Sequence, residues 1–143
     1  MTTVARFERF LREKNLKRSV KRDRIVAVFL ASPRHLSAEE LVARVRAKYP
    51  GIGSATVYRT LKLMRAGGLC SELCVIGGPS RYEPVESGGH HDHLVCVNCG
   101  ALVEILDPEI ERLQDRLFKK NGFKPRGHRM ELYGVCPACA KAK

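Results

Sequence analysis

Two short cysteine pairs, Cys96-Val-Asn-Cys99 and Cys136-Pro-Ala-Cys139, constrain this chain more than any other feature. A CxxC at a tight turn aims two thiolates at one point, and two such turns complete a closed tetrahedral zinc site. Thirty-six residues separate Cys99 from Cys136, more than a simple zinc ribbon holds. The insert therefore has room for a strand, a helix and a further strand, and the ion clips the chain's end back to the first strands of the same domain. A closed site keeps no open position, so its ion is structural and its binding is folding free energy. Redox chemistry and a coincidental CxxC are the competing readings.

The chain is short enough for the staple to matter. Its 143 residues allow one ordinary domain or two small ones, and two cores of roughly 70 residues are each marginal alone. No apolar run reaches the roughly 18–20 residues needed to cross a bilayer. The segment from Met1 to Arg12 is charged and lacks a signal peptide's apolar middle. The expected location is the cytosol, where six cysteines point to metal or chemistry rather than disulfides.

The first half reads as short helices. Val4, Phe7, Phe10 and Leu11 recur at helical spacing up to about Asn15. Ser19 caps a second helix carrying Ile25, Val26, Phe29 and Leu30, which stops before Pro33. Ser37-Ala-Glu-Glu40 is a capping box that opens a third with Leu41, Val42 and Val45. After Pro50-Gly51-Ile52-Gly53, Ser54 caps a fourth with Val57, Leu61 and Met64 inward, ended by Gly67-Gly68. Two strand-like runs follow, Leu69–Ile76 and Arg81–Glu83, across the turn Gly77-Gly78-Pro79-Ser80. Helices followed by a hairpin make a winged helix-turn-helix.

Charge agrees with that reading. Residues 1–86 carry 17 Lys and Arg against 8 Asp and Glu, whereas residues 87–143 carry 9 against 7. A basic half beside a near-neutral one points to a polyanion partner for the first. The outer face of the fourth helix carries Thr56, Tyr58, Arg59, Lys62 and Arg65, types that read base edges or bond phosphates. Ser54 stands at its start, where a helix N-terminus attracts phosphate. Lys17, Arg18, Lys21, Arg22 and Arg24 form a second basic cluster suited to backbone contacts. A solvated basic face is the plain alternative. Cys70 and Cys74 alternate onto one face of the first wing strand and read as small buried apolar residues, with a redox or accessory metal role as the alternative.

Past a hinge at Ser87-Gly88-Gly89, the second half reads strand (His93–Val97), strand (Ala101–Leu106), helix (about Pro108–Asn121) and strand (about Arg126–Val135). Ile110, Leu113, Leu117 and Phe118 give the helix an apolar stripe. His90-His91-Asp92-His93 is the densest cluster of ligand types. In an extended chain His91 and His93 face one side and His90 and Asp92 the other, so the run can feed two metal sites. Mixed imidazole and carboxylate ligands suit Fe(II), Mn(II) or Zn(II). A metallohydrolase would use a comparable cluster, but H-x-H-x-D-H, H-E-x-x-H and G-x-S-x-G are all absent. The expectation is a protein that is not an enzyme. A metal-buffering or zinc-dependent interaction module is the rival from another class; it leaves the basic helices unexplained.

The run from His90 to Gly100 closely resembles the signature of the ferric uptake regulator family. Ser54-Ala55-Thr56-Val57-Tyr58-Arg59 resembles that family's recognition helix, and His35-Leu36-Ser37-Ala38-Glu39-Glu40 its metal-bearing segment. With the Cys136/Cys139 pair, the likeness spans about residues 5 to 139. It implies an α+β protein: a winged-helix DNA-binding domain over 1–86, a hinge about 84–90, and an α/β metal-binding dimerisation domain over 87–143. It also implies a homodimeric repressor that binds AT-rich inverted repeats of double-stranded DNA when metal-loaded, and leaves open whether dimers pair into tetramers.

By the resemblance, Cys96, Cys99, Cys136 and Cys139 hold structural Zn(II). His35, Glu83, His91, His93 and Glu104 match a regulatory site for Fe(II), with Mn(II) or Zn(II) as alternatives. His90, Asp92, Glu111 and His128 match an additional site. From the helix and the basic cluster, Lys17, Arg22, Ser54, Thr56, Tyr58 and Arg59 are the residues expected to face DNA. One residue more than in some members separates Glu83 from the histidine run. The peroxide-sensing branch tends to carry aspartates where this chain has Glu83 and Glu104, which favours an iron-type regulator; zinc- and manganese-sensing branches share most of these ligands.

Overall fold

The computed structural model describes residues 2–33, 35–74, 77–85 and 92–142. The chain divides into two compact units, Met1–Gly89 and His90–Lys143.

The first unit opens with α1 (Thr3–Glu13) and α2 (Val20–Ala31). The Thr2 and Ser19 side chains accept from Ala5 N–H and Arg22 N–H, the N-cap bonds expected of those residue types. Strand β1 (Leu36–Ser37) leads directly into α3 (Ala38–Lys48), where Ser37 and Glu40 form both bonds of the capping box. Helix α4 (Ser54–Ala66) follows. Its N-cap is Gly53 with no side-chain cap bond, so Ser54 is the first helical residue rather than the cap.

These helices meet because their apolar residues recur every three or four positions. Phe7 of α1, Ile25, Val26, Val28 and Phe29 of α2, Leu41 and Val45 of α3, and Val57, Leu61 and Met64 of α4 form one buried core. Burying a side chain such as Phe29 contributes about 2–3 kcal/mol. Leu30 instead stays exposed and Val28 takes its place inside. Strands β2 (Cys70–Leu73) and β3 (Arg81–Pro84) are antiparallel, and β1 pairs with the other edge of β3. The wing is thus three-stranded, in the order β1-β3-β2. Within the described residues, β2 is shorter than the sequence run; Val75 and Ile76 lie outside them.

The second unit is a three-stranded sheet, β5-β4-β6, with two helices. Strand β4 (Asp92–Cys96) is central, antiparallel to β5 (Leu102–Ile105) and parallel to β6 (Glu131–Gly134). Helix α5 (Pro108–Lys120) is capped by Asp107, whose carboxylate accepts from Glu109 and Ile110 N–H, with Pro108 at its first turn. A short α6 (Pro137–Lys141) follows Cys136 and has no counterpart in the sequence pattern. No residue of α5 is buried. Leu94, Val103 and Leu132 are paired across the sheet as one row, and each is more than 40 % exposed. Among the described residues, no helix is long and apolar enough to cross a membrane.

Candidate metal centres and nucleic-acid face

The four cysteines converge. The turn after β4 carries Cys96 and Cys99, and the start of α6 brings Cys136 and Cys139 to them; all four sulfur atoms lie within 4.8 Å of one another. Cys99 Sγ and Cys136 Sγ are 3.8 Å apart. A tetrahedron with zinc–sulfur bonds of about 2.3 Å has edges of about 3.8 Å, so this donor set fits the ion. Parallel pairing of β6 with β4 makes the closure possible, because it runs the chain out of Gly134 beside Cys96.

The local electrostatics ask for a cation. Cys136 N–H donates to Cys96 Sγ at 3.3 Å. That bond, reinforced by Cys99 and Asn98 N–H, lowers the Cys96 thiol to about 6. Hydrogen bonding with the Cys136 and Cys99 sulfurs pushes Cys139 up to about 12. The backbone favours a thiolate at Cys96, and a positive ion would favour ionisation of the sulfurs around it.

A second cluster lies between β4 and α5. Asp92, Glu111 and His128 each offer a donor atom within 4.8 Å of the others. His128 Nε2 is 3.2 Å from Glu111 Oε1 and 3.7 Å from Asp92 Oδ1. Asp92 is 1 % exposed. Two carboxylates on one imidazole, one of them fully buried, form a cluster that a divalent cation would stabilise. His90, the fourth residue expected there, lies outside the described residues.

His93 points to the face opposite Asp92, as strand alternation requires. It is 2 % exposed and stands directly across from Glu104 on β5. This is one imidazole–carboxylate pair within the second unit. The first unit holds another: His35 Nε2 lies 2.9 Å from Glu83 Oε2. His35 adopts φ 67, a left-handed conformation that a non-glycine residue holds at a cost of about 1–3 kcal/mol. His91, expected with these four, lies outside the described residues, as do hinge residues 86–90.

The helix surface expected to meet nucleic acid is on α4. Val57, Thr60, Leu61 and Met64 are buried, while Ser54, Tyr58, Arg59, Lys62 and Arg65 are exposed and Thr56 is half-buried. Arg59 Nη2 donates to Thr56 Oγ1 at 3.3 Å. Arg65 pairs with Glu72 of β2, tying the helix's last turn to the wing. Lys17 is exposed, and Arg22 Nη1 donates to the Lys17 carbonyl at 3.1 Å, shaping the α1–α2 connection. Cys70 is buried, and burial raises its thiol to about 12. Cys74 departs from the expectation: it falls past the end of β2 and is exposed.

One residue that shapes the His35 region carries no signal in the sequence. Arg81 bonds the His35 carbonyl and Glu40, but a two-residue strand has no periodicity to reveal that β1 lies beside β3.

A helix-turn-helix with a wing, joined to a unit built on clustered metal-ligand residues, defines the class: a metal-responsive regulator of transcription. The model of the ferric uptake regulator family matches residues 13–133. The ferric uptake regulation protein of Campylobacter jejuni is 36 % identical over 142 residues, covering 98 % of this chain and 90 % of that protein. Among solved structures, the Helicobacter pylori ferric uptake regulator, described as revealing three functional metal binding sites, aligns with a TM-score of 0.84 at 33 % identity, over 99 % of this chain and 95 % of that one. The Pseudomonas aeruginosa ferric uptake regulator with manganese gives 0.77 at 34 %, over 89 % and 95 %. The chain belongs to the ferric uptake regulator family.

Proposed function

We propose that this chain is an Fe(II)-responsive repressor, a homodimer that binds an AT-rich inverted repeat when loaded with metal. The observation that carries the reading is the division of its ligand types. Four thiols form a closed set suited to zinc. The imidazoles and carboxylates, harder donors suited to Fe(II) or Mn(II), gather elsewhere.

The His35–Glu83 pair and the His93–Glu104 pair each supply one imidazole and one carboxylate. Neither pair alone meets the four to six ligands such ions take. His35, Glu83, His91, His93 and Glu104 would hold the regulatory ion, and a ligand set drawn from both units would favour one relative orientation of them. Two recognition helices must stand about one DNA turn apart to engage both half-sites. Without the ion that spacing is one of many, and operator affinity falls by the fraction of competent dimer. The Asp92–Glu111–His128 cluster, with His90, is the proposed additional site.

In this account Tyr58, Arg59 and Thr56 face the major groove, Ser54 offers phosphate a helix start, and Lys17 and Arg22 meet the backbone. The experiment is His93→Ala in the full chain. The expected variant keeps its zinc and its dimer but no longer gains operator affinity when Fe(II) is added. A variant that responds to Fe(II) like the wild type removes His93 from the regulatory site.

A further inference from the structure

Arg81 is neither a proposed ligand nor a DNA-facing residue, yet the His35 backbone and the first turn of α3 meet on it. It stands on β3 directly across from Ser37 and two residues before Glu83. Its Nη1 donates to the His35 carbonyl at 3.0 Å and to Glu40 Oε1 at 3.3 Å. Glu40 is also the far end of the α3 capping box: its Oε2 accepts from Ser37 N–H at 3.4 Å, while Ser37 Oγ accepts from Glu40 N–H at 3.1 Å. One guanidinium thus joins the backbone of His35 to the first turn of α3.

The backbone it holds is unusual. His35 sits at φ 67, and β1 beyond it is two residues long, so the strand ladder alone gives that conformation little support. An exposed Arg–Glu pair by itself contributes little. A charge-assisted bond to the carbonyl of a left-handed residue is different, because it selects the backbone that presents the imidazole to Glu83.

We infer that Arg81 is a positioning residue for the His35–Glu83 half-site, ordering His35 before an ion arrives and linking the half-site to the start of α3. This rests on the reading of His35 and Glu83 as ligands. Without Arg81 the ion itself must order His35, and that cost appears as lost affinity. Loss of one charge-assisted bond corresponds to about a tenfold weaker site.

The test uses the full chain with its zinc, titrated anaerobically with Co(II). It follows the visible absorption bands that appear as Co(II) binds to the zinc-loaded protein. Arg81→Met is expected to bind about tenfold more weakly, and Arg81→Lys, which keeps a cationic donor, to recover most of that. Glu40→Gln loosens the guanidinium without removing it and gives a smaller loss in the same direction, which serves if the methionine variant does not fold. A readout without any ion is hydrogen exchange at Ser37 N–H, which donates to Glu40 Oε2, expected to quicken in Arg81→Met. In a His35→Ala background, Arg81→Met should lower residual Co(II) affinity no further. Wild-type affinity in Arg81→Met, with binding lost in His35→Ala and Glu83→Gln, overturns the inference and leaves the ligand reading standing. Equal losses with and without His35 also overturn it, since Arg81 would then act elsewhere. Unchanged binding in His35→Ala and Glu83→Gln removes the ligand reading, and the inference with it.

Discussion

At Gly67, which closes α4, there is no room for a side chain. A Cβ there would lie 2.7 Å from ring carbons of both Phe7 and Phe10. Those rings stack with centroids 6.3 Å apart and seat α1 on the end of α4. Gly67→Ala is therefore predicted to destabilise the first unit by about 1–3 kcal/mol, the usual cost of overpacking. Urea unfolding of the full chain checks this, and an unchanged midpoint would show that α1 yields freely. The Gly67-Gly68 pair is legible in the sequence as a helix stop, but the close approach of α1 is not, because it depends on packing between distant elements. The cysteines divide the same way. Four announce themselves by spacing. Cys70 and Cys74 differ only in where β2 ends, which alternation alone does not locate.

Among the elements, α3 and α4 are the most legible. A capping box on α3, a glycine stop on α4 and a 3.6-residue apolar period on both agree with the observed boundaries to within a residue or so. Strand β1 and helix α6 are too short to carry a period, so nothing in the sequence announces them. The stripe of α5 is legible, yet Leu113 and Leu117 remain 46 % and 60 % exposed. For α4 the prediction is direct. Arg59→Ala should weaken operator binding by about 1–3 kcal/mol, the worth of one good base contact, while metal content stays the same. Gel-shift titration against the operator and a scrambled duplex measures it. Equal affinity to wild type would mean that α4 does not read bases through Arg59.

For the molecule as a whole, the two units differ in how they are stabilised. The first has a continuous buried core. In the second, Val95 and Cys96 are the only buried hydrophobics among the described residues, with Asp92 and His93 buried beside them. So small a core needs a staple and a cover. The four-cysteine cluster supplies the staple, and the row Leu94, Val103 and Leu132 is left exposed. Cys99→Ser is accordingly predicted to lose zinc and to unfold or monomerise the second unit while the helical unit persists. Zinc content, sedimentation and far-UV circular dichroism report on this together, and a stable zinc-free dimer would contradict it.

In the proposed function an exchangeable ion gates DNA recognition. The most direct measurement is operator affinity of the purified protein, stripped of exchangeable metal but retaining its zinc, under anaerobic titration with Fe(II), Mn(II) and Zn(II). An AT-rich inverted repeat and a scrambled duplex are compared at one salt concentration, because phosphate contacts alone bind both. Tight binding to the repeat is expected only after metal is added, with Fe(II) most potent at physiological levels. Equal binding to both duplexes, indifferent to metal, would contradict it.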